Sequence, residues 1–187
     1  MNSRVSGSEE ALATIALARL HGPAPRILIG GLGMGFTLRA ALAALGPQAG
    51  VVVAELVPAV IRWARGAMAE VFGASLADPR VEVREADVAD VIAAARSAYD
   101  AILLDVDNGP EGLTRDANDR LYDVAGLGTA KAALRAGGIL AVWSSAPDRG
   151  FTRRLRQAGY DVDEVPVRAR GKRGGARHVL WLATVPA

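Results

Sequence analysis

The sequence predicts an α/β fold: a mostly parallel seven-stranded sheet with helices on both faces, ending in an antiparallel hairpin. Three observations carry this. Short runs rich in Val, Ile and Leu alternate with Ala- and Leu-rich helical stretches, the pattern of successive β-α-β units. The first of these runs, ILIG at 27–30, passes through four closely spaced glycines into a helical stretch. The last two runs, 161–167 and 178–184, are separated by a turn region over Gly171–Gly175 and read as an antiparallel pair. A chain of 187 residues, 51% of them apolar, has material for one core and not two. The expected organisation is therefore a single domain over 1–187, with 1–25 an N-terminal helix and linker.

The elements follow in order. A helix is expected at about 9–20, where Glu9 and Glu10 precede an apolar run; without a basic segment and a small-residue cleavage site, it does not read as a secretion signal. Strands at 27–30, 51–54, 81–84 and 100–104 read as nearly continuous apolar runs, as expected where both sheet faces are covered. A fifth strand is expected at 138–143. Helices are expected at about 35–45, 57–72, 88–96, 115–135 and 149–158.

Several functions are disfavoured at this level. Arg19 and Glu55 interrupt the longest apolar stretches, so nothing approaches the roughly 20 apolar residues of a membrane span. The expectation is a soluble, cytoplasmic protein with no membrane partner. Cysteine is absent, which excludes disulfides, thiolate chemistry and cysteine-ligated metal. His21 and His178 have no second histidine or acid at ligand spacing, so both read as structural and no metal is expected. The cluster Arg168, Arg170, Lys172, Arg173 and Arg177 reads as a solvated hairpin tip, with phosphate attraction as the alternative.

The glycine elbow, ILIGGLGMGFTLRAAL, is the most informative stretch. A dinucleotide loop needs G-x-G-x-x-G, but the third position is Phe36 counting from Gly31, and Leu38 counting from Gly33. A phosphate-binding loop needs a closing Gly-Lys-Ser/Thr, which is missing. The spacing that fits is G-x-G-x-G at Gly31, Gly33 and Gly35, typical of S-adenosylmethionine-type sites. Gly30 completes the turn, and glycine there lets a ligand approach the main chain. Three acids close successive strands: Glu55, suited to ribose hydroxyls; Asp87, suited to the adenine amino group or to capping the next helix; and Asp105.

Five segments, ILIGGLGMGFTLRAAL, VVVAELVPAVIRWAR, DPRVEVREADV, YDAILLDVDNGPEGLT and ALRAGGILAVW, resemble the nucleoside-binding domain of the spermidine synthases over roughly residues 26–145. The resemblance implies a Rossmann-like class I S-adenosylmethionine-dependent methyltransferase fold. It also implies S-adenosylmethionine or its decarboxylated form as donor, with S-adenosylhomocysteine or methylthioadenosine as product. It places Asp105 near the reacting sulfonium, where it helps to deprotonate an incoming amine, and suggests Asp107 as a second, amine-binding acid. A neighbouring sulfonium would lower the pKa of such an acid. Asn108, Asn118 and Tyr122 lie on the segment that would cross the mouth of the site, and are candidates to line the acceptor pocket; turn chemistry, capping and core packing are their alternatives.

The departures are specific. The family's G-G-G-D-G-G loop has Gly33 where its aspartate stands, the acidic segment is shortened to DVDNGP, and only a helix and short linker precede Ile27, leaving no counterpart to the family's small N-terminal β domain. The reading that follows is transfer of an aminopropyl or methyl group to a small amine. Two alternatives stay open: a methyltransferase acting on RNA or another anionic substrate, and a non-catalytic nucleoside-binding module. A homo-oligomer is compatible with each.

Overall fold

Residues 6–106, 119–171 and 174–186 are described by the computed structural model. Ile27, Leu28 and Ile29 are buried on both sides because β1 (Arg26–Gly30) lies in the middle of the sheet, between β2 (Gly50–Glu55) and β4 (Tyr99–Leu104). The remaining strands are β3 (Val81–Glu85), β5 (Leu134–Ser144), β6 (Asp161–Arg168) and β7 (Arg177–Thr184), in the order β3-β2-β1-β4-β5-β7-β6. Strands β1 to β5 pair in parallel, while β7 runs antiparallel to both β5 and β6.

Successive side chains alternate between two cores, as the two-residue period of a strand requires. Leu28, Ile102, Leu140 and Trp181 join the core beneath α5 (Val88–Ala93), α7 (Val124–Ala133) and α8 (Arg149–Gln157). Ile29, Val53, Leu103 and Leu182 face the opposite core, with α1 (Gly7–Leu17), α2 (Phe36–Ala44) and α3 (Pro58–Arg65). The short helices α4 (Ala69–Phe72) and α6 (Asp119–Tyr122) and a 3-10 turn at Ser75–Ala77 complete the helical set among the described residues.

Four details differ from the sequence reading. The helix expected over 57–72 breaks at Gly66, whose φ of −121° and ψ of −106° leave helical space, giving α3 and α4. The helix expected over 115–135 restarts at Asp123, whose carboxylate accepts from the Gly126 N–H at 2.6 Å and caps α7. Strand β5 begins at Leu134 because a bulge between the Tyr99↔Leu134 and Ala101↔Ile139 pairs absorbs the RAGG segment. Strand β3 is an edge, with Glu82 and Glu85 exposed and Val81 and Val83 partly buried, and is not covered on both faces.

Gly35 sets the entry to α2, with φ of +73°, and a Cβ there would lie 2.6 Å from the Phe72 ring. Gly35→Ala combines left-handed strain with overpacking, so a loss of about 2–4 kcal/mol is expected. A lower urea midpoint at unchanged slope would register it.

Candidate functional site

The chain leaves β1 toward β2 and β3 on one side, then crosses to β4 on the other. The carboxyl ends of β1 and β4 therefore flank a crevice of the kind that binds ligands in open α/β sheets. The glycine turn forms one wall. Gly31 has φ of +85°, its N–H donates to the Ala54 carbonyl at 2.9 Å, and a Cβ would lie 3.0 Å from the Asp105 carbonyl oxygen. At Gly30 a Cβ would meet Leu104 and Val88. At these positions, glycine is thus already required by the protein's own neighbouring atoms. Gly33 is also left-handed, at +49°.

Glu55, at the tip of β2, is 7% exposed. Its Oε2 accepts from the Leu32 N–H at 2.8 Å and its Oε1 from the Val57 N–H at 2.8 Å. The first bond ties the carboxylate to the glycine turn. An ionised carboxylate offers about four acceptor positions, so each oxygen keeps one for a further donor.

Asp105 approaches the same turn from β4. Its N–H donates to the Gly30 carbonyl at 3.1 Å, and its Oδ2 accepts from Thr37 Oγ1, in the first turn of α2, at 2.9 Å. Burial pushes its carboxyl up to about 6; the Thr37 bond works against this, and the negative charge of Glu9 adds to it. Two of the three predicted strand-tip acids thus adjoin one glycine turn, Glu55 through its carboxylate on the Leu32 N–H and Asp105 through its main-chain N–H on Gly30, with its carboxylate on Thr37 of α2.

The third, Asp87, is already engaged by the protein. One oxygen caps α5 through the Ala89 N–H at 2.8 Å, and the other pairs with the Arg120 guanidinium at 2.6 Å. The structure gives it the capping role, and places it beside the turn through Val88, which packs near Gly30. The Tyr122 ring is 4% exposed and meets Phe151 edge-on at 5.6 Å within the α8-side core. Asp107, Asn108 and Asn118 lie outside the described residues.

Other groups at this end of the sheet have no local sequence signal. Helix α1 packs along β4, β5 and β7, and brings Glu9 toward Asp105. Its start is pinned to the β6–β7 turn: the Gly7 N–H donates to the Ala169 carbonyl at 2.9 Å, and a Cβ at Gly7 would run into the backbone of Arg170 and Gly171. Ser8, fully buried, donates to Glu9 Oε2 at 2.7 Å and lies 2.9 Å from His178 Nδ1. His178 packs edge-on to Trp143 at 4.8 Å; burial lowers its pKa while Glu9 pulls it upward. Arg168, Arg170 and Arg177 are exposed around the same turn, and Lys172 and Arg173 lie outside the described residues. No group of three or more potential ligands could hold a metal ion, and no helix is long and apolar enough to cross a membrane, among the described residues.

The strand order and the glycine turn after β1 define a Rossmann-like fold of the class I S-adenosylmethionine-dependent methyltransferase type. Spermidine synthase from Thermotoga maritima shares it, with a TM-score of 0.74 at 21% identity over 96% of this chain. The chain spans 59% of that protein's length. Human methyltransferase-like protein 13, solved in complex with SAH, matches with a TM-score of 0.70 at 22% identity, over 96% of this chain and 82% of its own. TrmN from Thermus thermophilus matches at 0.68 and 24% identity, over 98% of this chain and 50% of its own. At such identities the likeness establishes the fold. No protein-family model and no curated protein matches the sequence.

Proposed function

We propose that the chain is a transferase that takes an alkyl group, aminopropyl or methyl, from S-adenosylmethionine or its decarboxylated form and places it on a small amine. The observation that carries this is the joint attachment of Glu55 and Asp105 to one glycine turn. The spare acceptor positions on Glu55 suit two vicinal ribose hydroxyls, and Gly31 and Gly33 bring main chain to the nucleoside. When bound, such a donor supplies an electrophilic carbon next to a cationic sulfur and leaves as a neutral thioether, keeping the electrons of the broken C–S bond.

The protein's own groups do the rest. Asp105 attracts the acceptor as its ammonium, orients it, and takes one proton so that the nitrogen lone pair is free to form the new C–N bond. Alignment of the two reactants within one crevice supplies the larger share of catalysis, since positioning contributes about 7–11 kcal/mol in favourable cases.

A second reading has its own support. Arg168, Arg170 and Arg177 are exposed around the β6–β7 turn, at the same end of the sheet, and would suit an anionic acceptor such as RNA. Affinity for RNA that falls steeply with salt favours it.

Isothermal titration with S-adenosylmethionine, decarboxylated S-adenosylmethionine and their two thioether products tests the donor. Binding of at least one is expected, weakened by Glu55→Gln. No heat with any of the four removes the proposal. Turnover that disappears in Asp105→Asn separates an enzyme from a non-catalytic nucleoside-binding module.

A further inference from the structure

The structure assigns the outer face of α8 to a nucleic-acid strand: Arg149, Arg153 and Arg156 form a cationic ridge that continues into Arg168 and Arg177 and takes the strand's phosphates. This is a docking surface, beyond the transfer of an alkyl group to an amine, and it extends to α8 the cationic turn that supports the RNA reading.

The three arginines stand at positions i, i+4 and i+7 of α8, so they share one stripe of the helix over about 10 Å. All three are exposed, and none forms an ion pair among the described residues. Phe151, Thr152 and Leu155 take the buried side. Arg154 is different: it pairs with Asp148 and donates to the Tyr122 carbonyl at 3.0 Å. Two acids that contact α8 are engaged elsewhere, Asp148 by the Gly150 N–H and Glu164 by the Thr152 hydroxyl, each at 2.6 Å. Neither pairs with the ridge.

This arrangement works against the helix that carries it. Arg149 and Arg153, and then Arg153 and Arg156, are like charges on neighbouring turns and repel. Arg149 also sits in the first turn, where the helix dipole is positive. A solvated face gains nothing from that register, whereas a polyanion laid along it turns each repulsion into a contact and releases counterions.

The ridge has a continuation. Strand β5 ends at Ser144 and α8 runs back from there, so Arg149 lies toward the carboxyl end of the central strands, where the crevice is. Strand β6 then returns the chain to that end. The Thr152–Glu164 bond ties α8 to β6. Arg168, four residues beyond Glu164, faces the same side of the sheet about 13 Å further on, and Arg177 is paired opposite it. Both are exposed and without an ion pair among the described residues. A bilayer surface is the poorer match, because Phe151 and Leu155 are fully buried and leave α8 no apolar face to insert.

The test is fluorescence anisotropy on the full chain with labelled oligouridylate and oligothymidylate of about 12 nucleotides. The wild type should bind, with log affinity falling against log salt at a slope of about −2 to −3.5, as for three to five phosphate contacts on a single strand. The triple variant Arg149→Gln/Arg153→Gln/Arg156→Gln should lose about 10- to 100-fold at about 0.1 M salt and flatten the slope by about 2. Its urea midpoint should not fall, since the change relieves like-charge pairs. Arg62→Gln/Arg65→Gln, on α3 across the sheet, is the control for net charge and should bind within about 2-fold of the wild type. Tighter binding of oligouridylate than of oligothymidylate identifies the strand as RNA, and equal binding places the contact on the phosphates alone.

Unchanged affinity or slope in the triple variant overturns the inference. An equal loss in the α3 variant overturns it too, because net charge and not the ridge is then responsible. So does binding to phosphatidylserine vesicles with none to either oligonucleotide, which makes the face a membrane contact. Oligonucleotide binding that depends on the ridge, in a protein that takes up no thioether, upholds the docking face and removes only the transferase reading.

Discussion

Glu55→Ala should abolish measurable binding of the nucleoside donor and destabilise the fold by about 2–6 kcal/mol. The two effects share one cause. The Glu55 carboxylate is the acceptor for the Leu32 and Val57 N–H groups, both at 2.8 Å, and is itself 7% exposed. Deleting it leaves two backbone donors without partners next to a buried turn, at about 1–3 kcal/mol each. It also releases the glycine turn from the end of β2, so the surface that would meet the nucleoside loses its shape together with its hydrogen-bond acceptors. Glu55→Gln separates the two roles. Its carbonyl oxygen still accepts one N–H, so the stability loss should shrink to about 1–2 kcal/mol. Only one acceptor then remains for two ribose hydroxyls, and donor affinity should fall by about 10- to 100-fold. Urea unfolding gives the first number and calorimetry the second. Full donor affinity in Glu55→Ala would make this glutamate a strut for the loop and nothing more.

What could be read from the sequence follows how local each signal is. β1, β2 and β4 are legible because central strands need apolar side chains on both faces, and ILIG, VVVA and AILL provide them. The same expectation failed at β3, where V-E-V-R-E already alternates and marks an edge. The break at Gly66 and the early start of β5 are decided by how the sheet pairs, and helical spacing over 57–72 and 115–135 does not reveal them.

The site divides in the same way. Glu55 and Asp105 each close a recognisable strand, so their convergence on the glycine turn follows once the sheet is parallel. The ion pair that engages Asp87 joins it to Arg120 from a separate helix. Ser8 and His178 are 170 positions apart. No spacing rule reaches that far, which is why His178 reads as structural in the sequence and appears beside Glu9 only in the folded chain.

Asp105→Asn should stop turnover while leaving donor binding intact, and should make the protein more stable at neutral pH. The sign follows from the direction of the shift. Burial raises the Asp105 carboxyl from 3.8 to about 6 in the folded chain, so folding favours the protonated form. The stability contributed by this group is fully present below about 3.8 and is lost as pH rises through 6. A rise of that size corresponds to about 3 kcal/mol at most. Asparagine cannot ionise and still accepts from Thr37, so the variant should exceed the wild type by about 1–3 kcal/mol at pH 8 and by little at pH 4.

The same shift has a catalytic use. Proton transfer from an alkylammonium, near 10.4 in water, to an ordinary aspartate is uphill by about 9 kcal/mol, and raising the acceptor to about 6 reduces this to about 6 kcal/mol. A bound sulfonium would draw the carboxyl down again, so the free enzyme is where the raised value should appear. The profile of kcat/KM for the donor should show an acidic limb near pH 6 in the wild type, absent from any residual activity of Asp105→Asn. Equal stability of the two proteins at pH 8 would mean that the carboxylate is solvated in the folded chain, and with that the reason for assigning it a proton to carry disappears.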